Sequence, residues 1–374
     1  MDNTAINQYT PDYTVTPGEV LEYELDLRKM SRTELAKRTG LSEKHIIAIL
    51  KGKGTIIITP ETAIKLERAL GMPVDYWLNL EAHYQETRAR LVEGAQLEKD
   101  LGWLKRIPVN AMAKMGWLKK HKDQKQQLDE VLCFFGIASV EQWDDIWPNV
   151  GVAYRQHNKH EIFAEAVSAW LRKGELEAAA IQCKPFDKAA FRQVLDEARV
   201  LTAETNSAHF VPALQQRCAE AGVAVVFIPC LPKTGVSGAT RWVNPNKAII
   251  QLSLRYKTND HLWFTFFHEA GHILLHGKKE LFIEGANGMD DEKETQANTF
   301  AEQELLPRKA FKTFAAQAPF SKAAICQFAQ EVGIAPGIVV GQLQHKGLLP
   351  QTHCNDLKIT YKPHDIEKLR GSEG

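Results

Sequence analysis

The pattern of hydrophobic and polar positions divides the chain into an all-helical N-terminal part and a later part that mixes strands with helices. Apolar residues recur at helical spacing in short stretches that begin near Pro17, after Ser31, after Ser42, at Pro60 and after Pro73. Ser31 lies three residues before a glutamate, which predicts a capping box at one of these helix starts. Short helices separated by turns predict a small helical domain.

Further along the chain, helical patterns continue and are then replaced by strands. Residues 222–229 form an apolar, β-branched run typical of a buried strand, and residues 238–243 and 247–254 predict two more. Asn-Pro-Asn at 244–246 is typical of a turn, so these two strands are expected to pair as a hairpin. The predicted fold class is α+β multidomain. The expected parts are a loose arm over residues 1–15, a helical domain over 16–85, a helical middle region over 86–205 and a mixed domain with a small sheet over 206–374.

The most informative helix follows these strands and is apolar nearly all round. It is expected to begin near Asn259 and Asp260, both suitable caps, and to end at Gly277. An apolar surface on all sides predicts a buried helix. The helix nevertheless contains the sequence His-Glu-x-x-His at residues 268–272. Buried polar side chains are costly unless they have partners, and a metal ion would satisfy these.

This pentad is typical of a zinc site. Residues four apart share one face of a helix, so His268 and His272 can bind the same ion. Glu269 lies between them and is predicted to act on water held by the metal. A catalytic zinc needs a third protein ligand. Glu294 is the predicted one, since it shares a helix face with small apolar residues and should point into a packed interior, while Glu302 is the weaker alternative.

Two further residues are predicted to support the site. Asn298, one turn beyond Glu294, is placed to hydrogen-bond a ligating histidine and fix its tautomer. His276 lies four residues beyond His272, but helical drift takes it off the axis that the two ligand histidines share. We therefore expect a core or supporting role for His276, with a ligand role as the alternative.

Composition and charge limit the classes of function. The 46 basic and 46 acidic side chains give a formal net charge of +0, which argues against a general polyanion-coating or membrane-surface protein. The six cysteines are scattered without a Cys-x-x-Cys pair, so neither a disulfide framework nor a cysteine zinc site is expected. No secretory signal and no membrane-spanning run is visible, so a cytoplasmic location is expected.

Basic residues concentrate in the second and third predicted helices. Between Arg28 and Lys53 there are eight basic and two acidic residues, a local charge suited to DNA phosphates. These two short helices, joined by a tight turn at Gly40, form a helix-turn-helix pattern. The helix that follows Ser42 would enter the major groove, so the residues expected nearest the base edges are Ser42, Glu43, Lys44 and His45. The expected phosphate contacts are Arg32, Arg38, Lys51 and Lys53. The alternative is a helical bundle that serves only in dimerisation.

Residues 16–85 resemble the Xre-type helix-turn-helix of HigA-like antitoxins. The matching segments are residues 16–21, 31–36, 40–42, 58–63 and 76–80. The resemblance implies a homodimer that binds an operator in double-stranded DNA and regulates its own synthesis. It also implies a cognate toxin as a partner.

The pentad region resembles the ImmA/IrrE family of metallopeptidases. The matching segments are residues 268–276, 294–301 and 305–307, and more weakly 339–345. The resemblance implies a gluzincin-like metallopeptidase domain, in which two histidines and a glutamate from a following helix hold zinc. Family members cleave DNA-binding repressors or antitoxins. His345 in the last segment is a candidate to assist at the oxyanion, with a packing or surface role as the alternative.

Together these features predict a DNA-binding transcriptional regulator fused to a zinc-dependent endopeptidase that cleaves a repressor, an antitoxin or itself. One zinc ion is the expected cofactor, and manganese and iron stay as alternatives for these ligand types. The alternative function is an antitoxin or repressor whose peptidase-like domain senses or binds another protein without proteolysis.

Overall fold

The fold is described by a computed structural model that covers residues 15–52, 58–147, 164–232, 234–278, 281–283 and 291–361. The chain forms two compact units, and the boundary between them lies at Leu101 and Gly102. The elements confirm the predicted α+β multidomain class. The four-part division expected from the sequence stays a prediction.

The N-terminal unit is helical in its described residues. Its helices are α1 (Pro17–Leu27), α2 (Arg32–Thr39), α3 (Glu43–Lys51), α4 (Pro60–Leu70) and α5 (Val74–Asp100). Each helix turns an apolar face to a common core that includes Leu21, Leu35, Ile46, Leu66 and Trp77. The helix expected after Pro73 is longer than the other helices of this unit, since it continues without a break to Asp100 and has 27 residues. Left-handed glycines end three of these helices, at Gly40, Gly52 and Gly71.

One predicted helix start differs in detail. Ser31 accepts a hydrogen bond from the Glu34 N–H, as a capping residue should. The Glu34 carboxylate, however, pairs with Arg38 one turn further on, 2.5 Å away. The reciprocal capping box lies at the start of α1, where Thr16 and Glu19 each accept from the other's backbone N–H.

In its described residues, the second unit combines helices with a four-stranded sheet. Its helices are α6 (Val109–Lys114), α7 (Gln124–Phe135), α8 (Glu141–Ile146), α9 (Ala164–Ala180), α10 (Lys188–Leu201), α11 (Ser207–Glu220), α12 (Asn259–Leu275), α13 (Asp291–Leu305), α14 (Arg308–Ala315), α15 (Lys322–Val332) and α16 (Pro336–His345). Its strands are β1 (Val223–Phe227), β2 (Gly238–Asn244), β3 (Lys247–Leu252) and β4 (Phe282–Ile283). Short 3-10 helices occupy Leu101–Lys105 and Asn355–Leu357.

The sheet has the strand order β1-β3-β2-β4. β2 and β3 pair antiparallel, which confirms the predicted hairpin, and β1 pairs parallel with β3. The short strand β4 was not predicted. It pairs antiparallel with β2 through Ala239 opposite Ile283 and Thr240 opposite Phe282. Two residues are too few to produce a recognisable alternation of apolar and polar positions.

Helices cover both faces of the sheet. On one face, the Trp170 indole of α9 donates to the Ile228 carbonyl at 2.8 Å, and Gln251 of β3 donates to the Trp170 carbonyl at 2.7 Å. On the other face, the Thr240 hydroxyl of β2 donates to the backbone carbonyl of Glu269 in α12 at 3.1 Å. Helix α9, which belongs to the predicted middle region, therefore packs directly on the sheet.

The start of α12 differs from the prediction that Asn259 and Asp260 cap it. Thr258 occupies the cap position, and both predicted caps are buried. The Asn259 side-chain oxygen accepts from the Ile359 N–H at 3.1 Å, and Asp260 pairs with Lys358 at 2.7 Å. Both side chains therefore bind a distant C-terminal segment, since buried polar groups need partners wherever the fold supplies them.

Among the described residues, no single helix is long and apolar enough to cross a membrane, while α15 and α16 meet the length and composition criteria as a pair bent by 111°.

Two glycines of the N-terminal unit provide a test of its packing. A methyl group on Gly18 in α1 would lie 2.3 Å from the Ile49 carbonyl oxygen and 2.7 Å from that of Leu50, both backbone atoms of α3. A methyl group on Gly94 in α5 would meet nothing within 4 Å. We expect Gly18→Ala to lower the free energy of unfolding of this unit by about 1–3 kcal/mol, because a backbone contact cannot relax easily. Gly94→Ala should raise it by about 0.5–1 kcal/mol through helix propensity.

Urea unfolding of the full chain, with amide hydrogen exchange of α1, α3 and α5 to identify the unit that unfolds, measures both changes. Equal effects of the two substitutions would contradict the close approach of α1 and α3.

Candidate metal centre

The two histidines of the pentad lie on one face of α12 and are almost completely buried. His268 and His272 are each 1% exposed, and Glu269 between them is 0% exposed. The Nε2 atoms of the two histidines are 3.0 Å apart. The helix brings them together because one turn separates them.

Glu294 reaches these histidines from α13, which lies close against α12. A Cβ on Gly271 would be 3.1 Å from the Phe300 ring and 3.3 Å from the Ala297 Cα, so the absence of a side chain permits this approach. Glu294 Oε2 is then 3.2 Å from His268 Nε2, and its Oε1 is 3.5 Å from His272 Nε2.

The surroundings of Glu294 are less enclosed than expected from the sequence. Ala297, Ala301 and Leu305 share its face of α13 and are buried, but the Glu294 side chain is 26% exposed. It lies near the N-terminal end of the helix, where the apolar contact surface ends. The carboxylate therefore forms the side of the group that solvent reaches.

The three side chains offer donor atoms that fit a metal ion. Their ligand atoms all lie within 4.8 Å of one another. Two ligand atoms about 2.0–2.1 Å from a tetrahedral ion lie roughly 3.3 Å apart. The distances between the two histidine Nε2 atoms and from each of them to the Glu294 carboxylate are 3.0, 3.2 and 3.5 Å, which are close to that value. Within the described part of the chain, the buried Glu294 Oε1 has no hydrogen-bond donor. A cation would satisfy that atom and both imidazole nitrogens.

The protonation of the histidines agrees with this fit. Burial, followed by the nearby charges of His268, His276 and Lys293, lowers the pKa of His272 to about 2, so the ring is neutral. His268 Nδ1 lies 3.0 Å from the amide oxygen of Asn298, which can only accept, so this nitrogen carries the proton. In a neutral ring with this proton, the His268 Nε2 lone pair faces the centre of the group.

Glu269 lies beneath the first residue of β2. A Cβ on Gly238 would lie 2.6 Å from Glu269 Oε1 and 2.5 Å from the Thr265 side chain. The Glu269 backbone is held by the Thr240 hydroxyl. Strand β2 therefore fixes the position of this carboxylate from the side of the sheet, and Gly238 is a site residue that the sequence pattern did not identify.

His276 lies beside His272 and outside the group of three donors. Its Nδ1 is 2.9 Å from His272 Nδ1, and its Nε2 is 3.2 Å from the Gln296 amide oxygen. The Phe282 ring of β4 stacks on His272 with centroids 4.1 Å apart. Gln296 and Phe282 carry no motif of their own, so only the packing of α13 and β4 against α12 identifies them.

His345 is not brought to this group. It is the last residue of α16, its side chain is 67% exposed, and its Nε2 lies 3.9 Å from Glu302. Glu302 also pairs with Lys346 at 2.6 Å. Since Glu302 follows Glu294 by eight residues, the two are about 12 Å apart along α13. This placement corresponds to the surface role that was the alternative for His345.

The residues predicted to contact DNA occupy α2 and α3. Arg32, Arg38, Lys44 and Lys51 are exposed, as is Glu43. Ser42 caps α3 by accepting from the His45 N–H at 3.2 Å, and the Nε2 atom of His45 is buried. Two arginines make surface ion pairs, Arg32 with Glu22 at 3.2 Å and Arg38 with Glu34. Lys53 lies outside the described residues.

Two family models match the chain. A helix-turn-helix model matches residues 21–77, and a peptidase model described as an IrrE N-terminal-like domain matches residues 218–340. The first range includes most of α1 and all of α2 to α4. The second range contains the whole sheet and the His268, His272 and Glu294 group. A helix-turn-helix domain implies DNA binding.

Individual proteins are similar to the N-terminal part. An uncharacterised HTH-type transcriptional regulator, YddM from Escherichia coli, is 34% identical over 65 residues, which are 17% of this chain and 67% of that protein. An addiction module antidote protein of a HigA family from Coxiella burnetii is 37% identical, with 23% of this chain and 91% of that chain covered and a TM-score of 0.21. The chain therefore belongs to the helix-turn-helix transcriptional regulators, and its C-terminal unit carries an IrrE-like domain of a peptidase family.

Proposed function

We propose that this protein is a DNA-binding regulator whose C-terminal unit is a zinc-dependent endopeptidase. The observation that carries the proposal is the convergence of two buried histidines and a carboxylate around one point, with the Glu269 carboxylate in the same buried helix segment. Two histidines with a glutamate from a following helix leave one position open on a tetrahedral ion, as catalytic zinc sites do.

The proposed roles follow from position. His268, His272 and Glu294 hold the metal, and Asn298 orients His268 through its amide oxygen. A bound zinc ion would supply Lewis-acid chemistry that activates water and polarises a peptide carbonyl. Glu269 takes the proton of the attacking water at its carboxylate and passes it to the leaving amine nitrogen. His345 takes no part, because it lies with Glu302 at the surface.

The substrate that we propose is a protein of transcriptional control. The N-terminal unit places the chain at DNA, where repressors and antitoxins are found. The antidote protein similar to this chain belongs to an addiction module, which supports a toxin–antitoxin setting. A repressor, an antitoxin or a second copy of this chain is therefore the proposed substrate class, with the regulator acting as a homodimer on its operator.

The burial of the site supports a second candidate function. Glu269 is 0% exposed, and of the three metal-binding side chains only Glu294 is substantially open to solvent. A site this enclosed also fits a metal-binding module that senses or binds another protein without hydrolysis. The two candidates share the same inner geometry and differ in whether a peptide bond reaches Glu269.

Removal of Glu294 tests the metal site. We expect purified full-length protein to contain one zinc per chain and Glu294→Ala to lose most of it, because two histidines alone bind zinc weakly. Glu302→Ala is the matched control, since its carboxylate lies on the same helix with 25% exposure against 26% for Glu294. Elemental analysis after dialysis measures the metal. Wild-type zinc content in Glu294→Ala would exclude Glu294 from the site.

Substitution of Glu269 tests the reaction. Glu269→Gln preserves shape and should retain zinc, while cleavage falls by about 10²–10⁴-fold through loss of the general base. The assay follows fragments of purified HigA-type antitoxins, of repressors and of the chain itself by mass spectrometry, with a chelator-treated sample beside it. Equal cleavage by wild type and variant would disprove the role of Glu269. Zinc binding without cleavage in either protein would favour the sensing module.

The salt dependence of DNA binding tests the N-terminal unit. If Arg38 contacts a phosphate, Arg38→Ala should reduce the slope of log binding constant against log salt by about 0.9. Arg90→Ala on α5 is the matched control, because both arginines are exposed and pair with a glutamate four residues earlier, Arg38 at 2.5 Å and Arg90 at 3.0 Å. Fluorescence anisotropy with duplex DNA from upstream of the gene measures the slope. An unchanged slope for Arg38→Ala would remove it from the interface.

A further inference from the structure

A line of hydrogen bonds extends from His272 away from the metal centre, through His276 and Gln296 to Glu292. The separations are 2.9 Å between the two Nδ1 atoms, 3.2 Å from His276 Nε2 to Gln296 Oε1, and 3.2 Å from Gln296 Nε2 to Glu292 Oε1. Helix α12 supplies His272, His276 follows directly after its last residue, and α13 supplies the other two residues together with Glu294. The direction of each bond follows from the chemistry of its atoms.

The carboxylate fixes the orientation of the Gln296 amide. An ionised carboxylate only accepts hydrogen bonds, so the atom of Gln296 that faces Glu292 must be the amide nitrogen. The amide oxygen is then the atom that faces His276. An amide oxygen also only accepts, so His276 Nε2 must carry a proton.

The proton on His276 Nε2 determines the state of His272. In the neutral form of the ring this is the single N–H, and His276 Nδ1 is then the acceptor. It lies 2.9 Å from His272 Nδ1, which must therefore be the donor. The His272 Nε2 atom is left without a proton, and it faces His268 and Glu294.

An aromatic ring holds both imidazoles in this arrangement. The Phe282 ring stacks on His272 at 4.1 Å with planes 15° apart and contacts His276 with centroids 5.2 Å apart. Phe282 has no polar atom and cannot compete for the histidine protons. Strand β4 thus covers the link between the two histidines without altering the direction of its hydrogen bond.

We propose that Gln296 and His276 are positioning residues that set His272 in the Nδ1–H tautomer and so present its Nε2 lone pair to the metal. The inference rests on the proposed function, because the tautomer matters to metal binding only if His272 is a ligand. In this proposal His276 acts through its hydrogen bond with His272, and it is not itself a metal ligand. Asn298 does the same for His268 in one step, so α13 provides the third ligand and both tautomer-setting contacts.

Zinc affinity of the full-length protein, measured by competition with a chromophoric chelator, tests the line. Loss of such a supporting contact typically weakens metal binding by about 10–100-fold, and we expect that range for His276→Phe. Gln296→Leu should also weaken zinc binding. The double variant should bind zinc no more weakly than His276→Phe, because the effects of two residues in one chain of hydrogen bonds do not add. Gln303→Leu, an exposed glutamine seven residues further along α13, should bind as wild type.

Three results of the affinity measurement would overturn the proposal. Unchanged affinity in Gln296→Leu would show that Gln296 does not act on the site. Additive losses in the double variant would show that the two residues act separately. A loss in His276→Phe as complete as that in His272→Phe would show that His276 is itself a ligand. Thermal unfolding of each variant confirms that it is folded.

Long-range ¹H–¹⁵N spectra of histidine-labelled, zinc-loaded protein provide a readout that does not depend on activity. The expected pattern is a proton on Nδ1 of His272 and on Nε2 of His276, with the His276 signals shifting toward a mixture of tautomers in Gln296→Leu. A proton on Nδ1 of His276 would overturn the inference while leaving the proposed metal site intact. If wild type binds no zinc, the proposed function itself fails, so the two failures are distinguishable.

Discussion

The close contact between α12 and α13 is the constraint on which the C-terminal unit depends. Any Cβ on Gly271 would come within 3.1 Å of Phe300 and 3.3 Å of the Ala297 backbone. A side chain at this position would require Phe300 and Ala297, both on the helix that carries Glu294, to shift by a few tenths of an ångström. The packing of small apolar side chains sets the distance between helices, and that distance decides whether three donors from two helices meet at one point.

Burial makes the arrangement of these donors costly without a cation. Two imidazole nitrogens and a carboxylate face each other at 3.0 to 3.5 Å. In the proposed tautomers neither nitrogen carries a proton toward the others, so their lone pairs repel. A bound metal would convert this repulsion into ligand bonds, which would link metal binding to the stability of the surrounding fold. The contacts of Asn298 and His276 hold the two rings in this alignment.

Access to the buried base separates the two candidate functions. Glu269 lies under the start of β2, where only a glycine leaves room for its carboxylate. A peptidase requires a peptide bond to approach this residue past Glu294, the most exposed of the three proposed ligands. A sensing module needs only the metal and a surface that changes with it. Both candidate functions use the same proposed ligands, so the metal content does not distinguish them. The chemistry of Glu269 does.

Local sequence signals were sufficient for much of this protein. Helical periodicity, Gly40, Gly52 and Gly71 located the N-terminal helices, and the turn at 244–246 located the hairpin. The pentad and the apolar helix around it predicted a metal centre, and the spacing along α13 predicted Glu294 as the third ligand. The ligand atoms of these three side chains lie within 4.8 Å of one another. Each of these signals lies within one helix, one hairpin or a single helix face, so the sequence reports it directly.

The remaining features were decided by contacts between distant segments. Asn259 and Asp260 look like helix caps, but they bind the C-terminal segment at Ile359 and Lys358. His345 resembles a site residue, but α16 ends at the surface beside Glu302. The ring of Phe282 and the amide of Gln296 reach the histidines only after β4 and α13 pack on α12. The sequence by itself determined which side chains had the chemistry for a metal site. The tertiary structure alone decided which of them meet. The reason is that periodicity shows which face of a helix or strand a residue occupies, but not which other element packs against that face.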